Sequence, residues 1–144
     1  MTLCICLSQL AIYPGEGARF ARHIDNTTAD GRRLTVLCYL NPAWTPEQGG
    51  ELRLFTKADG AEGKEGEMKA IDVAPLGGRV AMFYSADIPH EVRPSFGQRH
   101  SITMWYYDQD ERRVAVEASR ESGTSQAAAE SSVEAQMAAK EFIR

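Results

Sequence analysis

Residues 13–25 read Tyr13-Pro14-Gly15-Glu16-Gly17-Ala18-Arg19-Phe20-Ala21-Arg22-His23-Ile24-Asp25. The stretch opens on a turn, with Pro14 setting φ and the glycines supplying positive φ. It closes on a predicted strand, Ala18 to Ile24, that ends at a His-x-Asp pair. In extended chain alternate side chains share a face, so the His23 imidazole and the Asp25 carboxylate aim at one point. His90, in Ile88-Pro89-His90-Glu91-Val92, is the candidate third ligand. Two histidines and one carboxylate on one side of a metal, with open positions opposite, describe the facial triad of non-haem Fe(II).

Outward from this stretch the chain reads as short strands separated by Gly/Pro turns. Leu3 to Tyr13 precedes it. Arg33 to Leu40 is rich in β-formers, and Gly49-Gly50 opens Glu51 to Thr56, where Leu52 and Leu54 alternate with Glu51 and Arg53. Further strands are expected at Met68–Val73, Arg79–Tyr84, around His90 to Arg93, and at Arg99–Tyr107. In the last, Ile102, Met104 and Tyr106 alternate with Ser101, Thr103 and Trp105. About eight strands without an intervening helix predict an all-β antiparallel sandwich or jelly-roll barrel. Lys57 to Glu67 has no apolar residue larger than alanine and cannot bury itself, so an exposed insertion is expected there. Residues 1–113 form the expected core. Residues 114–144 are expected to be a polar linker and a peripheral Ala-rich helix over Gln126 to Arg144, where Val133 and Met137 stand four apart.

With 144 residues, 43% apolar and 25% charged, the chain is long enough for one domain with a real core. A net charge of -4 and the lack of a basic stripe give no basis for nucleic-acid binding. Cys4, Cys6 and Cys38 are odd in number and lack metal or redox spacing. Cys4 and Cys6 are expected as buried thiols on one face of the first strand. A reducing compartment follows, cytoplasmic or nuclear. The apolar run Leu3 to Ile12 has no positive n-region or small-x-small cleavage site and is too short to span a bilayer, so no membrane association is expected.

Arg99 lies nine residues after His90, at the head of the last strand. A short hairpin between adjacent antiparallel strands is expected to bring it into the same pocket, where a planar guanidinium is the preferred partner for a carboxylate.

With these residues the sequence resembles the Fe(II)/2-oxoglutarate-dependent dioxygenases, and within them the prolyl 4-hydroxylases of the hypoxia-sensing type. The resemblance is carried by Tyr13-Pro14-Gly15, Arg22-His23-Ile24-Asp25-Asn26, Tyr39-Leu40-Asn41 with Trp44, and Gly49-Gly50-Glu51-Leu52-Arg53. Pro89-His90-Glu91-Val92, Arg99-His100-Ser101-Ile102-Thr103 and Trp105-Tyr106-Tyr107-Asp108 extend it, and it runs from about Tyr13 to Arg113.

It implies a double-stranded β-helix with iron bound by His23, Asp25 and His90. It also implies 2-oxoglutarate held by Arg99, with help from the Tyr39 hydroxyl, Tyr13 and Thr103. Leu52 is then an apolar wall of the co-substrate pocket, and Trp105 lies near the metal and shields it from water. Further implications are O2 as oxidant, ascorbate as reductant, and a target proline in a protein or peptide substrate.

There are departures from the pattern. Phe20 stands where such enzymes often carry tyrosine, and His100 replaces a common tyrosine. The insertion at Lys57 to Glu67 has its own length. The chain also starts at the first core strand, so the helices that normally buttress the larger sheet, and a substrate-gripping strand and loop, are expected to be missing. The competing reading from that feature is a truncated, non-catalytic β-barrel that binds metal, 2-oxoglutarate or a partner without turnover. A cupin-like barrel with another metal is a further alternative, although cupins usually cluster several histidines and this chain has three.

Overall fold

The computed structural model describes residues 3–57 and 68–121. The chain runs β1 (Leu3–Tyr13), β2 (Ala18–His23), β3 (Arg32–Tyr39), β4 (Leu52–Lys57), β5 (Met68–Val73), β6 (Val80–Tyr84), β7 (His90–Ser95), β8 (Arg99–Asp108) and α1 (Gln109–Glu121), with one 3-10 turn at Pro46–Gln48. The eight expected strands are present, each within about two residues of the position the alternation pattern gave it. The tail helix expected at Gln126 to Arg144 and most of the insertion lie outside the described residues, as do the side chains of Cys4 and Cys6.

The strands form two antiparallel four-stranded sheets, β1-β8-β3-β6 and β2-β7-β4-β5. Their inner faces meet in a core of Leu37, Tyr39, Leu52, Ala81 and Phe83, with Leu54, Val73 and Ile88 packed against it. Each large apolar side chain buried this way contributes roughly 1.5–3 kcal/mol.

Pairing register decides what meets inside. In the first sheet β8 is central and sets Tyr13 opposite Arg99, Tyr39 opposite Ser101 and Thr35 opposite Trp105. In the second, β2 and β7 set His23 directly opposite His90. Opposed residues on one face of a sheet are the nearest cross-strand neighbours.

One expectation is corrected here. The last two strands do not pair as a hairpin: β7 and β8 belong to different sheets. Ser95 to Gly97 instead carries the chain across the sandwich, and Ser95 Oγ donates to the Gly97 carbonyl at 2.9 Å. His90 and Arg99 therefore approach the interior from facing sheets.

Part of the segment expected as polar linker is also corrected, because α1 is helical from Gln109 to Glu121. The Asp108 carboxylate accepts from the backbone N–H groups of Asp110 and Glu111, at 3.0 and 3.2 Å, and so caps the first turn. The helix sits against Gly31, whose φ of 92° places its bare Cα face against the α1 backbone. A Cβ there would lie 2.8 Å from the Arg112 nitrogen. The polar character that suggested a linker belongs to a helix with little apolar surface to bury.

The burial of β8 alternates from Arg99 to Tyr107, with Arg99, Ser101, Thr103, Trp105 and Tyr107 inward. The more apolar Ile102, Met104 and Tyr106 occupy the outer face, beside exposed Leu10 and Ile12 of β1 and Val80, Met82 and Tyr84 of β6. On β8 polarity is turned inward.

Candidate active site

The three metal-ligand candidates converge. The ligand atoms of His23, Asp25 and His90 all lie within 4.8 Å of one another. His23 Nε2 is 3.2 Å and His90 Nε2 3.6 Å from the same Asp25 oxygen, Oδ1. The cross-strand pairing of β2 with β7 places the two imidazole centroids 4.2 Å apart.

Each ring is oriented from behind by the backbone carbonyl two residues before it. His23 Nδ1 lies 2.9 Å from the Ala21 carbonyl, and His90 Nδ1 lies 3.0 Å from the Ile88 carbonyl. A carbonyl only accepts, so Nδ1 carries the proton in both rings and Nε2 presents its lone pair to the centre. Burial holds the His90 imidazole below its ordinary pKa, against the pull of the Asp25 charge. The His90 and Asp25 side chains are nearly closed off from solvent, while His23 is 29% exposed and marks the open side.

Asp25 follows β2 and has its other oxygen held by the opposite sheet. Oδ2 accepts from Thr35 Oγ1 at 2.6 Å and from Trp105 Nε1 at 2.9 Å. Burial pushes the carboxyl pKa upward. The neighbouring His23 and His90 rings, which in their protonated forms favour the carboxylate, and the Thr35 and Trp105 donors together outweigh it and hold the group well below the usual carboxylate range. Two neutral imidazoles and one ionised carboxylate on a single side fit the donor set of Fe(II).

Arg99 is 1% exposed, yet it meets no carboxylate among the described residues. Nε donates to the Gly50 carbonyl at 2.8 Å and Nη1 to Ser101 Oγ at 3.1 Å, while Nη2 has no partner among the described residues. Gly50 makes this possible with a φ of 76°, and a Cβ there would stand 3.0 Å from Arg99 Cδ and 2.7 Å from Ser95 Oγ. The guanidinium lies 4.9 Å from the Tyr13 ring centroid and 5.2 Å from that of Tyr39. Burial pushes the Tyr39 phenol up to about 12 against the charge and the hydrogen-bonding edge of the neighbouring Arg99, and its hydroxyl makes no well-formed hydrogen bond among the described residues. An unpaired buried cation is costly, so a buried guanidinium edge and a phenol left vacant side by side describe a receptor for an anion. The 5-carboxylate of 2-oxoglutarate fits it.

One cavity joins the two groups. Its wall includes His23, Asp25, His90, Arg99, Tyr13, Leu52, Thr103 and Trp105. Tyr39 is not on that wall but lies fully buried behind it.

Sequence reasoning missed three contributors. Thr35 and Ser85 read there as ordinary β-formers or turn residues, with no motif to mark them. Arg32 closes the cavity over Trp105, its guanidinium 5.2 Å from that ring and Nη1 donating to the Asp25 carbonyl at 3.1 Å. In the sequence it reads as the last residue of a polar loop before the strand at Arg33, with nothing to set it apart. Register was the missing signal, since Thr35 stands opposite Trp105.

Comparison with known proteins agrees with this geometry. The model of the 2OG-Fe(II) oxygenase superfamily matches residues 8–107. The chain is 40% identical over 110 residues to prolyl hydroxylase EGLN3 of Mus musculus, an alignment covering 75% of this chain and 43% of that protein. It is 40% identical over 117 residues to the hypoxia-inducible factor prolyl hydroxylase of Caenorhabditis elegans, covering 80% of this chain and 15% of that one. The chain thus spans less than half the length of these relatives.

Among solved structures, a Trichoplax adhaerens prolyl hydroxylase in complex with a hypoxia inducible factor oxygen degradation domain peptide fragment superposes with a TM-score of 0.66 at 38% identity. That match covers 77% of this chain and 49% of the other. A Pseudomonas putida prolyl-4-hydroxylase gives 0.61 at 34% identity, with 71% and 51% covered. The matched span, residues 8–107, takes in nearly all of both sheets and every residue of the cavity wall except Leu7, and on that basis the chain belongs to the 2OG-Fe(II) oxygenase superfamily.

Proposed function

We propose that this chain is the core of an Fe(II)- and 2-oxoglutarate-dependent dioxygenase that hydroxylates a prolyl residue in a protein or peptide, with release of succinate and CO2. The observation that carries the reading is the pair of vacant buried donors, Arg99 Nη2 and the Tyr39 hydroxyl, in the same interior as the His23, Asp25 and His90 cluster. A metal site alone would not need them. The prolyl target is supported by relatives named prolyl hydroxylases and by a structural neighbour solved in complex with a peptide fragment.

Bound together, Fe(II) and 2-oxoglutarate supply the chemistry that activates O2 and places one oxygen atom on an unactivated C–H bond and the other in succinate. The protein's part is geometry and exclusion of water. His23, Asp25 and His90 hold the metal from one side and leave the opposite side open. Arg99 and Tyr39 hold the distal carboxylate of 2-oxoglutarate, with Leu52 as an apolar wall and Thr103 and Tyr13 lining the way. Trp105 and Arg32 close the cavity beside Asp25. The half-exposed His23 side is the approach for a peptide. Neutral imidazoles and an ionised Asp25 are required, so iron affinity falls in acid. Ascorbate is the proposed reductant that keeps the iron ferrous, and the proposed compartment is the cytosol or nucleus, a reading supported by cysteines that are odd in number and lack disulfide spacing.

The test is mass spectrometry of proline-containing peptides incubated with the protein, Fe(II), 2-oxoglutarate and O2. A gain of one oxygen on proline, with matching succinate, is the expected result. Succinate without peptide oxidation reassigns the substrate. Neither product, from protein that binds iron, returns the chain to a non-catalytic role.

A further inference from the structure

The two oxygens of Asp25 live in different surroundings. Oδ1 faces both imidazoles, at 3.2 and 3.6 Å. Oδ2 accepts two hydrogen bonds from the opposite sheet, one from Thr35 Oγ1 at 2.6 Å and one from Trp105 Nε1 at 2.9 Å. An ionised carboxylate only accepts, so the single hydroxyl proton of Thr35 is committed to it. The contact of 2.9 Å between Thr35 Oγ1 and Ser85 Oγ then has one possible direction, with Ser85 donating. The result is a one-way chain, from Ser85 through Thr35 to Asp25.

Both hydroxyls are sealed from water, Thr35 at 1% exposure and Ser85 at 0%. Ser85 is also fixed through its backbone. Its N–H donates to the Arg33 carbonyl at 3.0 Å, and its carbonyl accepts from the N–H of Asn26, the residue after Asp25, at 3.1 Å. The end of β6 therefore holds the chain at the metal-ligand candidate and supplies the proton that orients Thr35.

We propose that Thr35 is a positioning residue that, with Ser85 behind it and Trp105 beside it, makes Asp25 a one-oxygen ligand. This rests on the iron and 2-oxoglutarate reading above. A carboxylate free to rotate can chelate a metal through both oxygens and occupy a position that 2-oxoglutarate or O2 needs. Two donors on Oδ2 tie that oxygen to the β8 and β3 side and leave Oδ1 alone with the imidazoles. A role limited to satisfying a buried carboxylate would not require both donors to converge on the oxygen turned away from the histidines. Partners that orient a ligand in this way typically change metal affinity by about 10–100-fold when removed.

The experiment compares wild type, Thr35→Val, Thr35→Ser, Ser85→Ala and Trp105→Phe under anaerobic conditions. Circular dichroism monitors folding, competition with a chromogenic chelator gives Fe(II) affinity, and the absorbance of the Fe(II)–2-oxoglutarate chelate gives co-substrate binding. Thr35→Val keeps the side-chain shape and removes the donor. The expected result is a fall in Fe(II) affinity of about tenfold or more, with more 2-oxoglutarate needed to develop the absorbance. Thr35→Ser restores both, and Ser85→Ala shifts both in the same direction by less.

Wild-type values in folded Thr35→Val, or a Thr35→Ser that fails to recover them, overturn the proposal. Should Thr35→Val not fold, Ser85→Ala and Trp105→Phe decide, and wild-type values in both overturn it. A wild-type protein that binds no Fe(II) overturns the iron reading and this proposal with it. Wild-type binding with an indifferent Thr35→Val overturns this proposal alone.

Discussion

The two sheets divide the work of the site. The β2-β7-β4-β5 sheet presents the imidazoles, which its own backbone carbonyls orient from two residues upstream. The β1-β8-β3-β6 sheet presents donors: Arg99, Thr35 and Trp105. Asp25 stands between them, one oxygen toward each side.

Their outer faces differ in the opposite sense. The β2-β7-β4-β5 sheet carries a charged cluster outside, where Arg53 meets Asp72 bidentately at 2.7 Å and Arg93 joins at 3.2 Å. The β1-β8-β3-β6 sheet turns Val80, Met82 and Tyr84 to solvent. Burial of polar groups on a sheet face is expensive unless they are paired, and the donor-bearing sheet accepts that expense where a ligand completes the pairing.

This division can be broken by removing one side at a time. The largest effect is expected on the imidazole side. His23→Ala or His90→Ala should reduce Fe(II)-dependent succinate formation to background and abolish tight iron binding in the chelator competition. Full turnover by either variant would dissolve the ligand assignment.

Next comes the donor side. Arg99→Ala should leave iron affinity near wild type and raise the 2-oxoglutarate requirement. A charge-assisted hydrogen bond is worth about 2–3 kcal/mol, or roughly 30- to 150-fold. A titration of succinate formation against 2-oxoglutarate reads it directly, and an unchanged requirement would remove Arg99 from the site. If both variants lost iron equally, the two sheets would not be separable in function.

The smallest effect sharpens the contrast between inner and outer faces. Asp72→Asn breaks the external ion-pair cluster, which is solvent-exposed. Its cost in chemical denaturation should be below about 1 kcal/mol, with iron and 2-oxoglutarate binding unchanged. A larger loss would mean that the outer face of this sheet supports the imidazole geometry.

Much of this was legible in the sequence because it is periodic or local. Alternation located the strands, and His23-Ile24-Asp25 held two ligand candidates within one stretch of extended chain, where a period of two alone brings them together. His90 and Arg99 became readable from the resemblance and from their places at strand starts. The error of the expected hairpin came from the same habit. Nearness in sequence suggested pairing, whereas β7 and β8 diverge into facing sheets. The α1 helix was obscured by its polarity, since the signals that mark it, the Asp108 cap and the close approach to Gly31, depend on position.

The sequence by itself determined the strands, the His-x-Asp pair and the chemical types needed to hold a metal and an anion. Those follow from side-chain period and from what each residue can donate or accept. Only the tertiary structure decided which residues face one another across the sandwich. It placed Thr35 and Trp105 on one oxygen of Asp25, put Ser85 behind them, and left one edge of a buried arginine vacant. Register between strands distant in sequence is set by how both sheets close over a common core, and no local stretch of the chain contains that information.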